Sequence, residues 1–208
     1  MPEVGKLIGG FRVFKATTYQ RQKDVIHHLL EQGQKPSTMV ISCVDLKLAP
    51  AEIFASNPGD LFVLNNVGGL VPKYGTSGIH GIMAAIEYAV TNLEVENIVV
   101  LGHSKCDSIK MMMSESKALS ESMKIWLSVA GDARESVKRE MSDHTAEEQQ
   151  QSCEHESIII SLRNLLTYPY IAKRMGQNKL NVFGWHFDVE TGDIKAFNPA
   201  TTFFDPIY

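Results

Sequence analysis

The chain has 208 residues, a formal net charge of −4 and a hydrophobic fraction of 44%, values typical of one globular domain that can bury a core. The negative charge gives no electrostatic reason to expect nucleic acid or an anionic membrane as a partner. No apolar run approaches the ~18 residues of a membrane span and the N-terminus lacks a secretory apolar stretch, so we expect a cytoplasmic protein.

The first part of the chain is predicted to be a helical arm, over about residues 1–35, within a single domain of residues 1–208. Apolar residues recur at helical spacing over 19–32. Gly33 ends this helix, and Pro36 prevents its continuation.

Strands and helices then alternate. Apolar runs predict buried strands at 38–41, 61–64 and 97–101. The pattern over about 79–93 predicts a buried helix between the second and third of these strands. The alternation favours an α/β fold with a central, mainly parallel β-sheet flanked by helices and joined by right-handed crossovers.

The C-terminal half is predicted to be largely helical before it returns to the sheet. Residues 107–152 are polar and expected to be helical, and a second helix is predicted over 156–166. A last strand at 180–185 leads into a hairpin through residues 188–193.

Three side chains suited to a metal ion follow two of the predicted strands. Cys43 follows the first strand, and His103 and Cys106 follow the strand at 97–101. The carboxyl ends of parallel strands form the edge where open α/β folds build their sites, so we expect these side chains to meet. Two thiolates and one imidazole suit zinc and leave a fourth coordination position for water or substrate. Two buried free cysteines and a hydrogen-bonded core histidine are the alternative, but the joint spacing favours zinc.

The third cysteine, Cys153, has no partners at metal-ligand spacing. An odd cysteine count also argues against a disulfide framework. We therefore expect Cys153 to be a packed or partly exposed free thiol.

The sequence resembles the β-class carbonic anhydrases. The resemblance starts from Cys-x-Asp at 43–45 and His-x-x-Cys at 103–106, each after a strand. Further similar segments occur in the family's order at residues 34–36, 58–63, 66–67, 85–90, 95–103, 161–165 and 184–185. The resemblance implies a β-carbonic anhydrase-like fold, homodimers or higher oligomers that complete each other's active sites, and reversible hydration of CO₂ to bicarbonate and a proton at Zn²⁺.

The resemblance also implies roles for residues around the metal. Asp45 matches an aspartate that accepts a hydrogen bond from the reacting water or becomes the fourth zinc ligand in a closed, inactive state. Its alternative role is to cap the next helix. Phe62, Val67 and Tyr88 match an apolar CO₂ pocket, although plain core packing would explain the first two equally well. Gln34 matches a glutamine that contacts a substrate oxygen from the neighbouring subunit.

The chain departs from the family beside the metal. The family pattern Cys-x-Asp-Ser-Arg ends here in Leu46-Lys47, and Lys47 keeps the positive charge of the arginine without its planar, bidentate fork. Leu46 replaces a small polar residue. Asn65 stands where the family has an arginine, and Asp107-Ser108 replaces a Gly-Gly pair, which adds bulk and negative charge.

These departures leave alternatives to efficient CO₂ hydration. We expect zinc binding to survive them, because the three ligands are intact. Turnover could be reduced, with Lys47 as an imperfect partner of Asp45. The other hypotheses are an altered substrate such as carbonyl sulfide, and a weak or inactive zinc-binding homologue with a binding role.

Overall fold

The computed structural model describes residues 2–77, 80–114 and 119–207, and within them six strands form one sheet. The strands are β1 (Thr38–Cys43), β2 (Leu61–Asn66), β3 (Asn97–His103), β4 (Asn181–Phe187), β5 (Ile194–Phe197) and β6 (Phe204–Pro206). Their order is β2-β1-β3-β4-β5-β6. The first four are mutually parallel, whereas β5 is antiparallel to both of its neighbours. The predicted α/β fold with a mainly parallel sheet is confirmed.

The register brings the carboxyl ends of the parallel strands to one edge. Cys43 at the end of β1 is paired with Asn66 at the end of β2. His103 at the end of β3 is paired with Phe187 at the end of β4. The two predicted ligand-bearing strand ends therefore lie at the same edge of the sheet.

Helices surround this sheet. In the described residues they are α1 (Pro2–Ala16), α2 (Thr18–Gln32), α3 (Pro50–Ile53), α4 (His80–Glu87), α5 (Asp107–Met113), α6 (Glu121–Leu127), α7 (Gly131–Glu140), α8 (Ala146–Leu165) and α9 (Pro169–Gly176). A π-helical turn over Tyr88–Asn92 continues α4, and 3₁₀ turns occupy Val67–Gly69 and Ser128–Ala130. The predicted start of the fourth helix near Ile79 lies outside the described residues.

Both faces of the sheet are covered, as buried parallel strands require. On one face Ile41, Ile98 and Val100 share a core with residues of α4, α8 and α9. Alternate residues point to the opposite face, where Val40 and Val99 pack with side chains from α3, β4 and β5. The near-continuous apolar runs that predicted these strands follow from this two-sided burial.

Helix α8 starts ten residues before the predicted position. Its start is set by a capping box, in which the Thr145 hydroxyl accepts from the Glu148 N–H at 3.3 Å and the Glu148 carboxylate accepts from the Thr145 N–H at 2.9 Å. The apolar pattern used for the prediction begins only near Ile158. The predicted start at 156 is therefore wrong, because residues 146–152, which were expected to be helical, belong to the same helix as the apolar residues that follow.

The N-terminal arm consists of α1 and α2, and no residue of α2 is buried. Large apolar side chains at helical spacing on α1 are exposed; they are Val4, Leu7, Ile8, Phe11 and Phe14. Leu7 is 73% exposed and Phe11 58% exposed. None of the helices in the described residues combines the length and the apolar character that crossing a membrane requires.

Candidate metal centre

The three predicted ligands meet at the carboxyl edge of the sheet. Their ligand atoms all lie within 4.8 Å of one another, and all three residues are buried. The Sγ atoms of Cys43 and Cys106 are 3.6 Å apart, close to the ~3.8 Å edge of a tetrahedron with Zn–S bonds of about 2.3 Å. Lys105 adopts a left-handed φ of 56° in the turn between His103 and Cys106. This strained turn brings the two ligands to one side.

The imidazole of His103 is oriented for metal binding. Its Nδ1 lies 2.9 Å from the carbonyl oxygen of Ser104. Because a carbonyl can only accept, Nδ1 carries the proton and Nε2 has a free lone pair. Nε2 is buried without a hydrogen-bond partner, which is costly unless another group satisfies it. A metal ion fits this position.

The two thiols form an electrostatically coupled pair. A hydrogen bond from Cys106 is the largest cause of the lowered pKa of Cys43, and it outweighs burial. The backbone N–H groups of Asp45 and Gly68 each donate to the Cys43 sulfur at 3.3 Å. The same Cys43–Cys106 contact, with burial, raises the pKa of Cys106. A cation between the sulfur atoms would stabilise both as thiolates.

Asp45 is engaged at both carboxylate oxygens. Oδ1 accepts from the Lys47 ammonium at 2.5 Å, and Oδ2 accepts from the backbone N–H of Asp107 at 2.8 Å. Burial opposes ionisation, but these bonds outweigh it and lower the pKa of Asp45. Asp107 is the first residue of α5, so Asp45 caps that helix. The next helix along the chain, α3, has Ala49 at its N-cap instead.

The other departures from the family have local partners. Asn65 accepts a hydrogen bond of 2.6 Å from the Ser42 hydroxyl, so its amide belongs to the β1–β2 pair. Leu46 packs with the core on the Val40 face of the sheet. Asp107 supplies its N–H to Asp45, and its charge contributes to the raised pKa of Lys47, after the Asp45 hydrogen bond, which is the largest cause.

The predicted pocket residues fall into two groups. Val67 packs in the core cluster that contains Cys43 and Cys106. Phe62 packs instead on the α4 side of the sheet, where its ring centroid lies 6.0 Å from that of Tyr88. Gln34 is exposed just after α2.

Glu154 and Gln150 of α8 both contact Cys106, and neither was predicted. Glu154 of α8 is buried, and its Oε1 accepts the backbone N–H of Cys106 at 3.0 Å. Glu154 lies 48 residues from Cys106 along the chain. The Gln150–Glu154 spacing of one helical turn was an available signal, but the two predicted helical segments ended at 152 and resumed at 156, so Glu154 fell between them.

Comparison with known proteins fits this geometry. Residues 38–194 match the carbonic anhydrase family. The Arabidopsis thaliana protein named Beta carbonic anhydrase 3 is 33% identical, over 91% of this chain and 74% of its own length. The chain belongs to the β-class carbonic anhydrases. The Synechococcus elongatus carbonic anhydrase is 34% identical, over 95% of this chain and 72% of the relative.

Solved structures of β-class carbonic anhydrases have the same fold. The β-carbonic anhydrase CcaA superposes with a TM-score of 0.92 at 30% identity, covering 98% of this chain and 99% of that one. One of two tetrameric β-carbonic anhydrases from Sordaria macrospora gives a TM-score of 0.85 at 23% identity, covering 95% and 98%, which supports the fold alone. The predicted fold and the predicted enzyme class are confirmed, and the chain contains a Cys-His-Cys group able to hold a metal ion.

Proposed function

We propose that this β-class carbonic anhydrase binds Zn²⁺ through Cys43, His103 and Cys106 and reversibly hydrates CO₂ to bicarbonate and a proton. The observation that carries the proposal is the unpartnered, buried Nε2 of His103 beside two cysteine sulfur atoms that lie 3.6 Å apart. Zinc, when bound, lowers the pKa of a coordinated water to about 7, which makes hydroxide available near neutral pH.

Asp45 is proposed to orient the reacting water. Its carboxylate is ionised and fixed by Lys47 and by the Asp107 N–H, so it can accept a hydrogen bond from that water and hold it for attack on CO₂. The same two bonds hold the Asp45 carboxylate in a position where it does not bind the metal. Lys47 is thus a positioning residue, which replaces the arginine fork by one charge-assisted hydrogen bond.

The substrate pocket is proposed to form between two copies of the chain. Val67 packs beside the ligands of its own chain. Phe62 and Tyr88 pack together on the α4 side of the sheet, and Gln34 is exposed after α2. These three residues are proposed to complete the site of a second copy. The exposed apolar residues of α1 support such an assembly, because contiguous exposed apolar surface marks interaction sites. We infer a homodimer or a higher homo-oligomer, in which residues 1–208 act as one domain with its arm.

A cytoplasmic location is proposed for this enzyme. Its three cysteines are free and buried, and free thiols are usual in a reducing compartment.

Stopped-flow measurement of CO₂ hydration tests the proposed reaction. We expect the zinc-loaded protein to hydrate CO₂ faster than the same protein stripped by a chelator, with recovery when zinc is restored. Equal rates would contradict the proposal. Release of sulfide from carbonyl sulfide without CO₂ hydration would favour the altered substrate, and inactivity towards both would favour a binding role.

A further inference from the structure

We propose that Glu154 is a positioning residue that fixes the metal ligand Cys106 from behind, through a buried hydrogen-bond cluster on α8. The inference deepens the proposed function, because it rests on Cys106 being a metal ligand. The residues of this cluster are Glu154, Gln150 and His186.

The cluster contacts both backbone groups of Cys106. Glu154 Oε1 accepts the Cys106 N–H at 3.0 Å, and Gln150 Nε2 donates to the Cys106 carbonyl at 3.3 Å. Gln150 also donates to Glu154 Oε1 at 3.0 Å. Cys106 is the residue before α5, so these bonds set both the direction of its side chain and the start of that helix.

The Glu154 side chain is itself fixed on its other side. Its Oε2 lies 3.3 Å from His186 Nε2, and both side chains are almost fully buried. His186 belongs to β4 and is paired with Gly102 of β3. A carboxylate that accepts from three directions has little freedom to rotate, so the position of Cys106 is tied to the rigid sheet.

Two glycines allow α8 to come close enough for these bonds. A Cβ on Gly102 would lie 2.6 Å from Ile158 Cδ1, and a Cβ on Gly184 would lie 2.7 Å from Ile158 Cγ2. A side chain at either position would displace the side chain of Ile158 or move α8 away from β3 and β4. The close packing that places Glu154 against Cys106 therefore depends on both strands.

The same face of α8 also fixes the segment that follows Val67–Gly69. The Ser161 hydroxyl accepts the Val71 N–H at 3.2 Å, and the Asn164 amide donates to the Val71 carbonyl at 2.8 Å. Buried polar side chains along one face of α8 thus bind the segments after β2 and β3. Glu154 is the member of this face that reaches a metal ligand.

The test measures metal affinity rather than turnover. Glu154→Leu removes the acceptor for the Cys106 N–H, and we expect zinc affinity, measured by chelator competition, to fall about 10- to 100-fold. The thiolate-to-metal absorption bands of the cobalt-substituted protein should also shift. Glu154→Gln keeps an oxygen for Cys106 and should restore both the affinity and the spectrum. The matched control is Glu156→Leu on the same helix, which should leave both unchanged.

Gln150→Leu provides a second variant that removes the other bond to Cys106 from a half-buried position, with exposed Gln151→Leu as its control. We expect zinc affinity to fall less than in Glu154→Leu and the cobalt spectrum to shift in the same direction. If Glu154→Leu does not fold, Gln150→Leu is the variant that tests the inference. The inference is overturned if folded Glu154→Leu binds zinc with wild-type affinity and has the wild-type cobalt spectrum. If Glu154→Leu is unfolded, the same result in Gln150→Leu overturns it. Failure of the wild-type protein to bind zinc would instead overturn the proposed function.

Discussion

The carboxyl edge of the sheet that carries Cys43, His103 and Cys106, here called the metal-binding edge, differs from the N-terminal arm in what it buries. At the edge, buried polar groups are bonded within the chain, as the hydrogen bond from the Cys106 N–H to the Glu154 carboxylate illustrates. On α1, by contrast, apolar side chains such as Leu7 and Phe11 face outward. The difference teaches that one chain can by itself bring together side chains able to hold a metal ion, whereas the apolar side chains of α1 could be buried only against another surface.

The largest expected effect follows from removing a ligand at the metal-binding edge. Cys106→Ala should lower CO₂ hydration more than about 100-fold and reduce the bound zinc, because two remaining ligands hold the ion weakly. Metal analysis after dialysis against a chelator and stopped-flow hydration measure the two effects. Cys153→Ala is the matched control, since Cys153 is also buried but lies outside the ligand group; equal zinc loss in both variants would contradict the assignment.

Substitutions on the arm should weaken self-association and leave zinc binding unchanged. In Leu7→Glu/Phe11→Glu, charges replace two exposed apolar side chains, and we expect self-association to weaken by about 100-fold if each side chain contributes about 1.4 kcal/mol. Analytical ultracentrifugation measures the association, and metal analysis should show retained zinc.

The control for the arm is Arg12→Glu, which changes charge on the same helix without removing an apolar side chain. An unchanged oligomer in the double variant would show that α1 does not mediate assembly. If the folded double variant loses zinc, the arm and the metal-binding edge do not act independently.

Lys47 tests how far the metal-binding edge is preorganised. Lys47→Ala removes one of the two bonds that fix Asp45, and we expect hydration to fall about 10- to 100-fold while zinc remains bound. Lys47→Arg supplies a bidentate fork and should raise hydration about two- to tenfold above wild type. Stopped-flow rates at equal zinc content provide the comparison. If the arginine variant is no faster, the missing fork does not limit this enzyme.

A smaller effect is expected from pH, through the half-buried His155 of α8, which contacts His186 of β4. The ring of His155 stacks on that of Phe204, with 4.2 Å between the ring centroids, and meets the ring of His186 edge-on, with 4.5 Å between the centroids. Burial, with the charges of His186 and Lys195, lowers the pKa of His155 from 6.5 to about 3. Between these values the unfolded chain takes up a proton that the folded chain does not, so stability falls as pH falls below about 6.5.

His155→Phe should remove this dependence, which amounts to at most about 1.4 kcal/mol per pH unit. Urea unfolding at pH 7 and pH 5 measures it. His28→Gln on the exposed arm is the control and should leave the pH dependence as in wild type. If the free energy of unfolding changes with pH equally in His155→Phe and in the wild type, His155 is not the group responsible.

The sequence was most informative where local pattern and buried environment coincide. Apolar runs predicted β1 and β3 because both are buried on two faces. The His-x-x-Cys spacing predicted that His103 and Cys106 lie close together, because a short turn joins them. Glu154 was not predictable in this way, since its contact with Cys106 depends on how closely α8 packs on the sheet. Residues 146–152 were expected to be helical, but the start of α8 was misplaced, because a capping box rather than apolar spacing marks it.

The departures at Lys47, Asn65 and Asp107 also needed three-dimensional information. The sequence indicated Lys47 as the partner of Asp45, and the structure has that bond. It did not indicate that Asn65 binds Ser42 or that the Asp107 N–H binds Asp45. The assignments of Phe62, Tyr88 and Gln34 to a shared pocket stay predictions, because they depend on a second copy of the chain.

The most direct test of the preorganised site is a crystal structure of the zinc-loaded protein at neutral pH. We expect Asp45 to remain bonded to Lys47 and to the Asp107 N–H, with solvent as the fourth zinc ligand. An Asp45 oxygen about 2.0–2.2 Å from zinc, with the Lys47 contact broken, would contradict the central claim that this lysine keeps the site open.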